Sequence, residues 1–345
     1  MSEVKNRIFW LDLARAIAIC GVVWIHSIVP LLYDYDQKAA PNWWVGNVYD
    51  SFMRMSVPLF VLITGALLLE RGDKPISFLW KRLPKLIVPL FAWGLVYKYI
   101  STEGFSFSSV GPAMLELLQG DAHFHLWFMY MIIGLYFVIP LLQALVSNAT
   151  NQIHYYFIAV WFLAVSGLPL IARFADVNIY LELTFATGYT GYLVLGYVLS
   201  KIPLDKKLIF IAIAVYLLSV CATGLGNFAL TYLHKGFFDG YFREYLSPTV
   251  IAMSASAFIL IRSLGTLSIF KKSRVTPFLI SNVSDASYGI YLSHIIFLTW
   301  ITNDFAPFTR NPIYIVPLNW LITILLSFLL VSILKRIPGL KYAVP

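Results

Sequence analysis

The sequence predicts an all-α integral membrane protein, a bundle of about ten transmembrane helices, on three observations. Of its 345 residues, 59% are hydrophobic and only 12% are charged, and the mean hydropathy is +0.77. A soluble domain carries about 25% charged residues, roughly twice this fraction. The apolar segments are continuous rather than alternating, which excludes a β-barrel. The net charge of +8 comes from basic residues clustered in short loops, which indicates membrane topology and not nucleic-acid binding.

Residues 8–30 are apolar enough to cross a bilayer and too long for a cleavable signal, so we expect them to form the first span. They contain Asp12, Arg15 and His26, and such side chains normally face protein or a wet cavity. Helical geometry places Arg15 and His26 on one face, roughly 16 Å apart along the axis, and lets Asp12 pair with Arg15. A packing stripe with a satisfied Arg–Asp pair and a hydrogen-bonded histidine explains the same pattern.

The other apolar segments predict nine further spans. We expect both termini to be cytoplasmic, because this orientation puts most basic loop residues inside and most acidic loop residues outside. Arg15 then lies toward the cytoplasmic half of the membrane and His26 toward the outer half. A single membrane domain, residues 1–345, is expected, with no appended soluble domain. The predicted spans are residues 8–29, 46–69, 84–100, 126–146, 154–172, 186–200, 208–226, 247–266, 286–303 and 314–334.

The second predicted span contains Arg54, Pro58 and Gly65. Arg54 lies in the outer half of the membrane, where an ionisable side chain needs a partner. Pro58 breaks a helical hydrogen bond, and Gly65 permits the close approach of another backbone. The pattern indicates either a polar site or a kinked, tightly packed helix.

A basic stretch precedes the third span and includes Lys81, Arg82 and Lys85. Arg82 and Lys85 are three residues apart, so they project together at the cytoplasmic mouth of that span. Such a pair is apt for binding the phosphates of a ligand. Anchoring by the positive-inside rule is the simpler alternative.

The loop of residues 101–125 ends in a His-x-His pair, His123 and His125. Within it, residues 110–119 predict a short interfacial helix. The pair suggests a metal site, but no third ligand is nearby and the two cysteines lie within apolar runs. We therefore expect no metal, and we interpret the pair as part of an interfacial aromatic belt.

The ninth predicted span repeats the pattern of the first. Ser287, Tyr291 and His294 follow i, i+4, i+7 spacing and share a helix face. A second histidine in a polar stripe favours a wet cavity between the first and ninth spans. Structural hydrogen bonding of His294 to a neighbouring helix is the alternative.

Five motifs in this order resemble the membrane acyltransferase type-three family, and the resemblance runs from about residue 8 to the last helix. The length and the ten-span plan are similar to those of stand-alone exopolysaccharide O-acetyltransferases. The motifs are WLDLAR with ten residues between an arginine and a histidine (Arg15, His26), SVPLF followed by TG, KRLPKLIVP, HLWF at 125–128 and SYGIYLSH at 287–294.

The resemblance implies transfer of an acetyl group from cytoplasmic acetyl-CoA to a sugar hydroxyl outside the cytoplasm. By the family's pattern, Arg15 and His26 are the essential pair, and Arg82 and Lys85 lie where the phosphates of CoA bind. Lys81 and Thr64 are expected beside them. Two departures stand out: Thr64 replaces the family's usual serine, and Lys85 replaces the second arginine of a pair, which removes a bidentate donor.

Acyl transfer needs a base for the acceptor hydroxyl, and histidine is the common choice at neutral pH. His26 therefore acts either as the base or as an acyl carrier, supported by Arg15, whose rotamer Asp12 fixes. We expect Arg54, His125, Tyr291 and His294 to contact the acceptor or an intermediate. The acyl group is acetyl or a slightly larger one such as succinyl.

The expected partners are the lipid bilayer, acyl-CoA and a surface glycan or lipid-linked oligosaccharide acceptor, at a bacterial plasma membrane. The sequence does not fix the oligomeric state, and a homodimer is one option that it leaves open. A transporter or flippase is the main alternative, because intramembrane charged residues also serve proton-coupled carriers. No inverted repeat with paired broken helices supports that alternative. A scaffold subunit of a glycan-synthesis complex is a further alternative, but it has no need of buried Arg and His on one face.

Overall fold

A computed structural model describes residues 7–33, 40–175, 188–234, 237–267, 270, 275–305 and 311–345. Over these ranges the chain is helical and contains no strand. Eight helical segments of the described chain are long and apolar enough to cross a membrane. The predicted all-α membrane bundle is therefore confirmed, whereas the cytoplasmic location of the termini stays a prediction.

The helices follow one another closely, and the turn Leu163–Gly167 makes α8 and α9 one continuous rod. The short helix α6 confirms the helix predicted at residues 110–119. The bounds are α1 Phe9–Tyr33, α2 Ala40–Met53, α3 Ser56–Leu68, α4 Pro75–Arg82, α5 Pro84–Ser101, α6 Val110–Leu118, α7 Trp127–Asn148, α8 Asn151–Phe162, α9 Leu168–Ala175, α10 Thr190–Lys201, α11 Lys206–Leu233, α12 Pro248–Leu264, α13 Val275–Trp300 and α14 Pro312–Leu334.

Two of the ten predicted spans are not among the eight long apolar segments. The predicted span 186–200 begins outside the described residues and continues as α10, which has only 12 residues. The predicted span 286–303 begins inside α13, which has 26 residues and starts eleven residues earlier, at Val275, and ends in the following turn, Ile301–Phe305. Helix α13 is long enough to cross a membrane but carries buried serines and a histidine, which make it more polar than the other long helices.

The predicted second span consists of two helices, α2 and α3, that are interrupted at Arg54 and Met55. Pro58 explains this break, because a proline has no N–H for the carbonyl four residues earlier, here that of Arg54. The break leaves the Arg54 carbonyl without that helical partner, and the Arg54 side chain reaches the Arg243 carbonyl.

Two glycines allow α3 and α10 to pack in close backbone contact. A Cβ added to Gly65 falls 1.9 Å from the Leu193 backbone oxygen, and one added to Gly196 falls 2.1 Å from the Leu62 backbone oxygen. Both helices therefore need glycine at the crossing, as predicted for Gly65. This crossing fixes the position of α3.

Helix α1 lies at the centre of the bundle, packed against α2, α3, α12, α13 and α14. Trp320 on α14 donates its ring N–H to the Cys20 carbonyl, 2.8 Å away. On another face, a Cβ added to Gly21 meets the Ser56 hydroxyl at 1.9 Å, so α1 and α3 are in close contact. The polar residues of α1 are thus held against neighbouring helices.

Candidate active site

A network of four charged residues surrounds the first turn of α1. Asp12 lies 3.5 Å from the Arg15 guanidinium, which confirms the predicted pair. Arg7 joins Asp12 at 3.0 Å and Asp285 of α13 at 2.7 Å. The hydrogen bonds to Asp285 and Asp12 raise the pKa of Arg7 above its usual value, so Arg7 stays charged. The network ties α1 to α13.

Two adjoining cavities lie beside Arg15. They have volumes of about 260 and 220 Å³. Arg82 and Lys85 line the first, which we call the basic chamber, and Tyr288 and Tyr291 line the second, the aromatic chamber. The two chambers share the walls formed by Arg15, Phe60, Thr64, Leu86 and Tyr136.

Arg82 and Lys85 meet at the basic chamber, as their spacing predicts. The Arg82 guanidinium lies 3.3 Å from Asp73 and 4.2 Å above the Phe78 ring, which holds it in place. Lys85 is exposed at the chamber mouth. Lys81 is also exposed but does not line either chamber, so the predicted basic set reduces to Arg82 and Lys85.

Thr64 lies between the chambers. Its hydroxyl donates to the Phe60 carbonyl four residues earlier, at 2.8 Å. This bond fixes the side chain, and Thr64 lines both cavities. A serine at this position has a hydroxyl that makes the same bond, and threonine adds a methyl group.

Four of the six histidines form a cluster, which we call the histidine cluster. The His26 ring lies 5.1 Å from the His294 ring, and the His294 ring lies 5.4 Å from the His125 ring. His125 Nδ1 is 2.9 Å from His123 Nδ1. The cluster unites α1, α13 and the segment before α7. Among the described residues, no group of three or more His, Cys, Asp or Glu side chains is arranged to hold a metal ion.

The belt interpretation of His125 is wrong. His125 is only 1% exposed, whereas the adjacent Phe124 is 61% exposed and Trp127 is 39% exposed. A single turn of 3-10 helix, Phe124–Leu126, rotates His125 inward, and the Tyr291 hydroxyl donates to its backbone oxygen. The aromatic residues on either side remain near the surface.

The hydrogen bonds of His294 fix its tautomer. Nδ1 lies 2.7 Å from the Tyr291 carbonyl oxygen. Because a carbonyl only accepts, Nδ1 carries the hydrogen and Nε2 is left as an acceptor in the neutral ring. The Nε2 atoms of His294 and His125 are both buried without a hydrogen-bond partner among the described residues. A buried polar atom of this kind is available to a substrate or a water molecule.

Tyr291 connects the aromatic chamber with the histidine cluster. Its ring lines that chamber and lies 5.7 Å from the ring of His125 and 6.1 Å from that of His294. Ser287 lines the same chamber, so the predicted shared face of Ser287 and Tyr291 is confirmed. The chambers therefore lead from Arg15 toward the histidines.

Arg54 has the partner that its buried position requires. Its Nε donates to the Arg243 carbonyl at 2.8 Å, Nη1 lies 3.6 Å from Asp50, and the guanidinium lies 4.2 Å above the Tyr245 ring. Arg243 binds Asp50 through two bonds of 2.8 and 3.0 Å. Two guanidinium groups thus share one carboxylate. From the sequence, only Arg54 was predicted to be a buried arginine that needs a partner. Arg243 was not identified, because it is 189 residues away and no sequence pattern connects the two.

Comparison with protein-family models matches residues 8–336 to an acyltransferase domain, that of the acyltransferase type-three family. The match covers nearly the whole chain. Comparisons with curated proteins and with solved structures give no match.

Proposed function

The chain belongs to the membrane acyltransferase type-three family, and from this premise we propose that it transfers an acetyl group from acetyl-CoA in the cytoplasm to a hydroxyl of an extracytoplasmic glycan or lipid-linked oligosaccharide. The observation that carries the proposal is the pair of adjoining chambers, which runs from two basic side chains past Arg15 to Tyr291 beside the histidine cluster. A donor and an acceptor that approach from opposite sides of a membrane need such a path.

The basic chamber suits the donor. Arg82 and Lys85 carry the charge that binds phosphate groups, and Arg82 offers a planar guanidinium for two parallel bonds. Asp73 occupies one side of Arg82, and the phosphates of CoA take the remaining donors. The thioester arm then enters between Arg15 and Thr64, which line both chambers.

The histidine cluster suits the acceptor. In the reaction the acceptor O–H bond breaks, a C–O bond forms at the thioester carbonyl, the C–S bond breaks and thiolate leaves. His26 takes the hydroxyl proton as a general base, or it first receives the acyl group itself. Nε2 of His294 is free to accept a hydrogen bond, Nε2 of His125 has no partner among the described residues, and Tyr291 orients the segment that carries His125.

Arg15 supports the transfer from the donor side. Its positive charge stabilises the oxyanion that develops at the thioester carbonyl. Asp12 lies 3.5 Å from the Arg15 guanidinium and orients it. Arg7 and Ser284 in turn hold Asp12 in place, so this network sets the rotamer of Arg15.

Mass spectrometry of surface glycans tests the proposal. Cells expressing wild type, His26→Ala and Arg15→Ala are compared at matched protein levels. The proposal expects both variants to lose one acyl mass from an otherwise unchanged glycan, and that mass distinguishes acetyl from succinyl. Unchanged acylation in His26→Ala contradicts the role of His26. Disappearance of the whole glycan from the surface favours a transporter or flippase instead.

A further inference from the structure

We propose that His294, His125 and His123 form a proton path, which carries the proton of the acceptor hydroxyl from His26 to the surface of the bundle on the acceptor side. The inference rests on the proposed acyl transfer and extends it to three residues that touch neither chamber. It also assigns the acceptor-side proton a destination, which the transfer step alone leaves open.

The four histidines lie in a row that has an inner and an outer end. The inner end is His26 beside His294, and the outer end is His123, whose ring stacks on Tyr97 at 4.5 Å. Between them, His125 lies 5.4 Å from His294, ring to ring, and shares a 2.9 Å contact between Nδ1 atoms with His123. His294 is fully buried and His125 is 1% exposed, whereas His123 is part-exposed. The row of histidines therefore leads from the interior of the bundle to its surface.

The two middle rings each have a nitrogen atom that is available for proton transfer. His294 keeps its Nδ1 hydrogen on the Tyr291 carbonyl, so its Nε2 accepts. The Nε2 of His125 is likewise buried with no partner among the described residues. One water molecule between the two rings gives both atoms a partner and completes the path. The contact between His123 and His125 requires one Nδ1 to donate and the other to accept, which is the arrangement that passes a proton on.

The outer end of the path is suited to release of the proton. At the outer end, burial lowers the pKa of His123, so a proton that arrives is released readily. The other titratable groups near this end are Tyr97, which donates its hydroxyl to the Leu292 carbonyl, and Lys98, which pairs with Glu116 and Asp121.

The hydroxyl proton moves to His26 and then to Nε2 of His294, whose Nδ1 hydrogen stays on the Tyr291 carbonyl. From the same Nε2 it passes by way of water to Nε2 of His125, which releases its Nδ1 proton to His123 and so to water on the acceptor side. The acceptor oxygen bonds to the acyl carbon as the C–S bond breaks. The thiolate takes its proton from water on the donor side. Each turnover thus releases one proton on the acceptor side and consumes one on the donor side.

The test measures acyl transfer to surface glycans in cells that express His123→Gln or His125→Ala at wild-type protein levels. His154→Ala is the matched control, because His154 is a buried histidine with an unpartnered Nε2 but lies on α8, against Tyr197. We expect each path variant to lose at least about 10-fold in rate, within the roughly 10²–10⁴-fold that proton transfer by a side chain contributes. Imidazole in the medium or a more alkaline medium restores much of that rate, and the control keeps wild-type activity.

The outcomes separate this inference from the proposed function. A merely structural role for these histidines predicts losses that neither imidazole nor alkaline medium restores, and that result overturns the path. Wild-type rates in both path variants overturn it as well, while the acyl transfer itself stands. Acylation that survives in His26→Ala instead contradicts the proposed function. His123→Gln keeps the test decisive if His125→Ala fails to fold, because His123 is part-exposed.

Discussion

The imidazole rings of His26 and His294 lie 5.1 Å apart, although they come from α1 near the start of the chain and α13 near its end. His26 forms one end of a polar stripe on α1, whose other end holds Arg15 against Asp12. Burying two histidines side by side costs solvation free energy, because their ring nitrogens lose hydrogen bonds to water and need other partners. The arrangement is consistent with a site whose missing partners come from a substrate.

Replacing His294 by alanine tests its part in the histidine cluster. We expect acyl transfer to fall by about 10²-fold, because the neutral Nε2 acceptor that faces the cluster is lost. The measurement is the rate of acylation in membranes with matched protein amounts. His154→Ala makes the same chemical change outside the cluster and is expected to keep full activity. Equal effects of the two substitutions would show that the location of His294 is irrelevant.

The basic chamber is tested by two alanine substitutions, Arg82→Ala and Lys85→Ala. Each is expected to raise KM for acyl-CoA about 10-fold with a smaller change in kcat, because a phosphate contact acts on donor binding. Lys81→Ala removes the same charge from the same stretch but from a side chain outside the chambers, and serves as the control. Steady-state kinetics over a range of acyl-CoA concentrations give both constants. An unchanged KM in the Arg82 variant argues against the donor site.

The crossing of α3 and α10 predicts a stability effect at Gly65. Gly65→Ala brings a Cβ to within 1.9 Å of the Leu193 oxygen, and relieving that clash costs about 1–3 kcal/mol. Gly134→Ala on α7 adds the same methyl where nothing lies within 4 Å, so it is expected to leave the protein as stable or slightly more stable. Thermal unfolding of purified protein in detergent compares the two. A Gly65 variant as stable as the Gly134 variant contradicts the close crossing.

The cluster of Asp50, Arg54 and Arg243 predicts an order of stabilities. Asp50→Asn leaves two buried guanidinium groups without a carboxylate, which costs about 3–5 kcal/mol. Arg243→Met leaves Arg54 and Asp50 as a neutral pair and is expected to destabilise the protein less. Unfolding midpoints measured side by side give the order. The reverse order is incompatible with one carboxylate shared by two arginines.

Features that depend on one helix were predictable from the sequence. The Asp12–Arg15 pair and the common face of Ser287 and Tyr291 follow from helical periodicity. The interruption at Arg54 and Met55 follows from Pro58, whose missing N–H acts four residues upstream. In each case the cause and the effect lie within two turns of the chain.

Contacts between distant segments were not predictable in the same way. Asp285 binds Arg7, and Asp50 binds Arg243, through helix packing that no local spacing specifies. The burial of His125 depends on one 3-10 turn and on Tyr291 of another helix, whereas its flanking aromatic residues resemble an interfacial belt. The sequence therefore predicted the meeting of His26 and His294 between the first and ninth spans, but not that His125 and His123 join them.

Transfer across the membrane is tested most directly with sealed inside-out vesicles that carry the glycan acceptor in their lumen. Acetyl-CoA labelled in the acetyl group is added outside, and label that mild alkali releases from the lumenal glycan is counted. Wild-type vesicles are expected to transfer label, while His26→Ala vesicles with equal protein give none above background. Label that accumulates equally in His26→Ala vesicles, or wild-type vesicles that transfer none, would contradict acyl transfer through the chambers to His26.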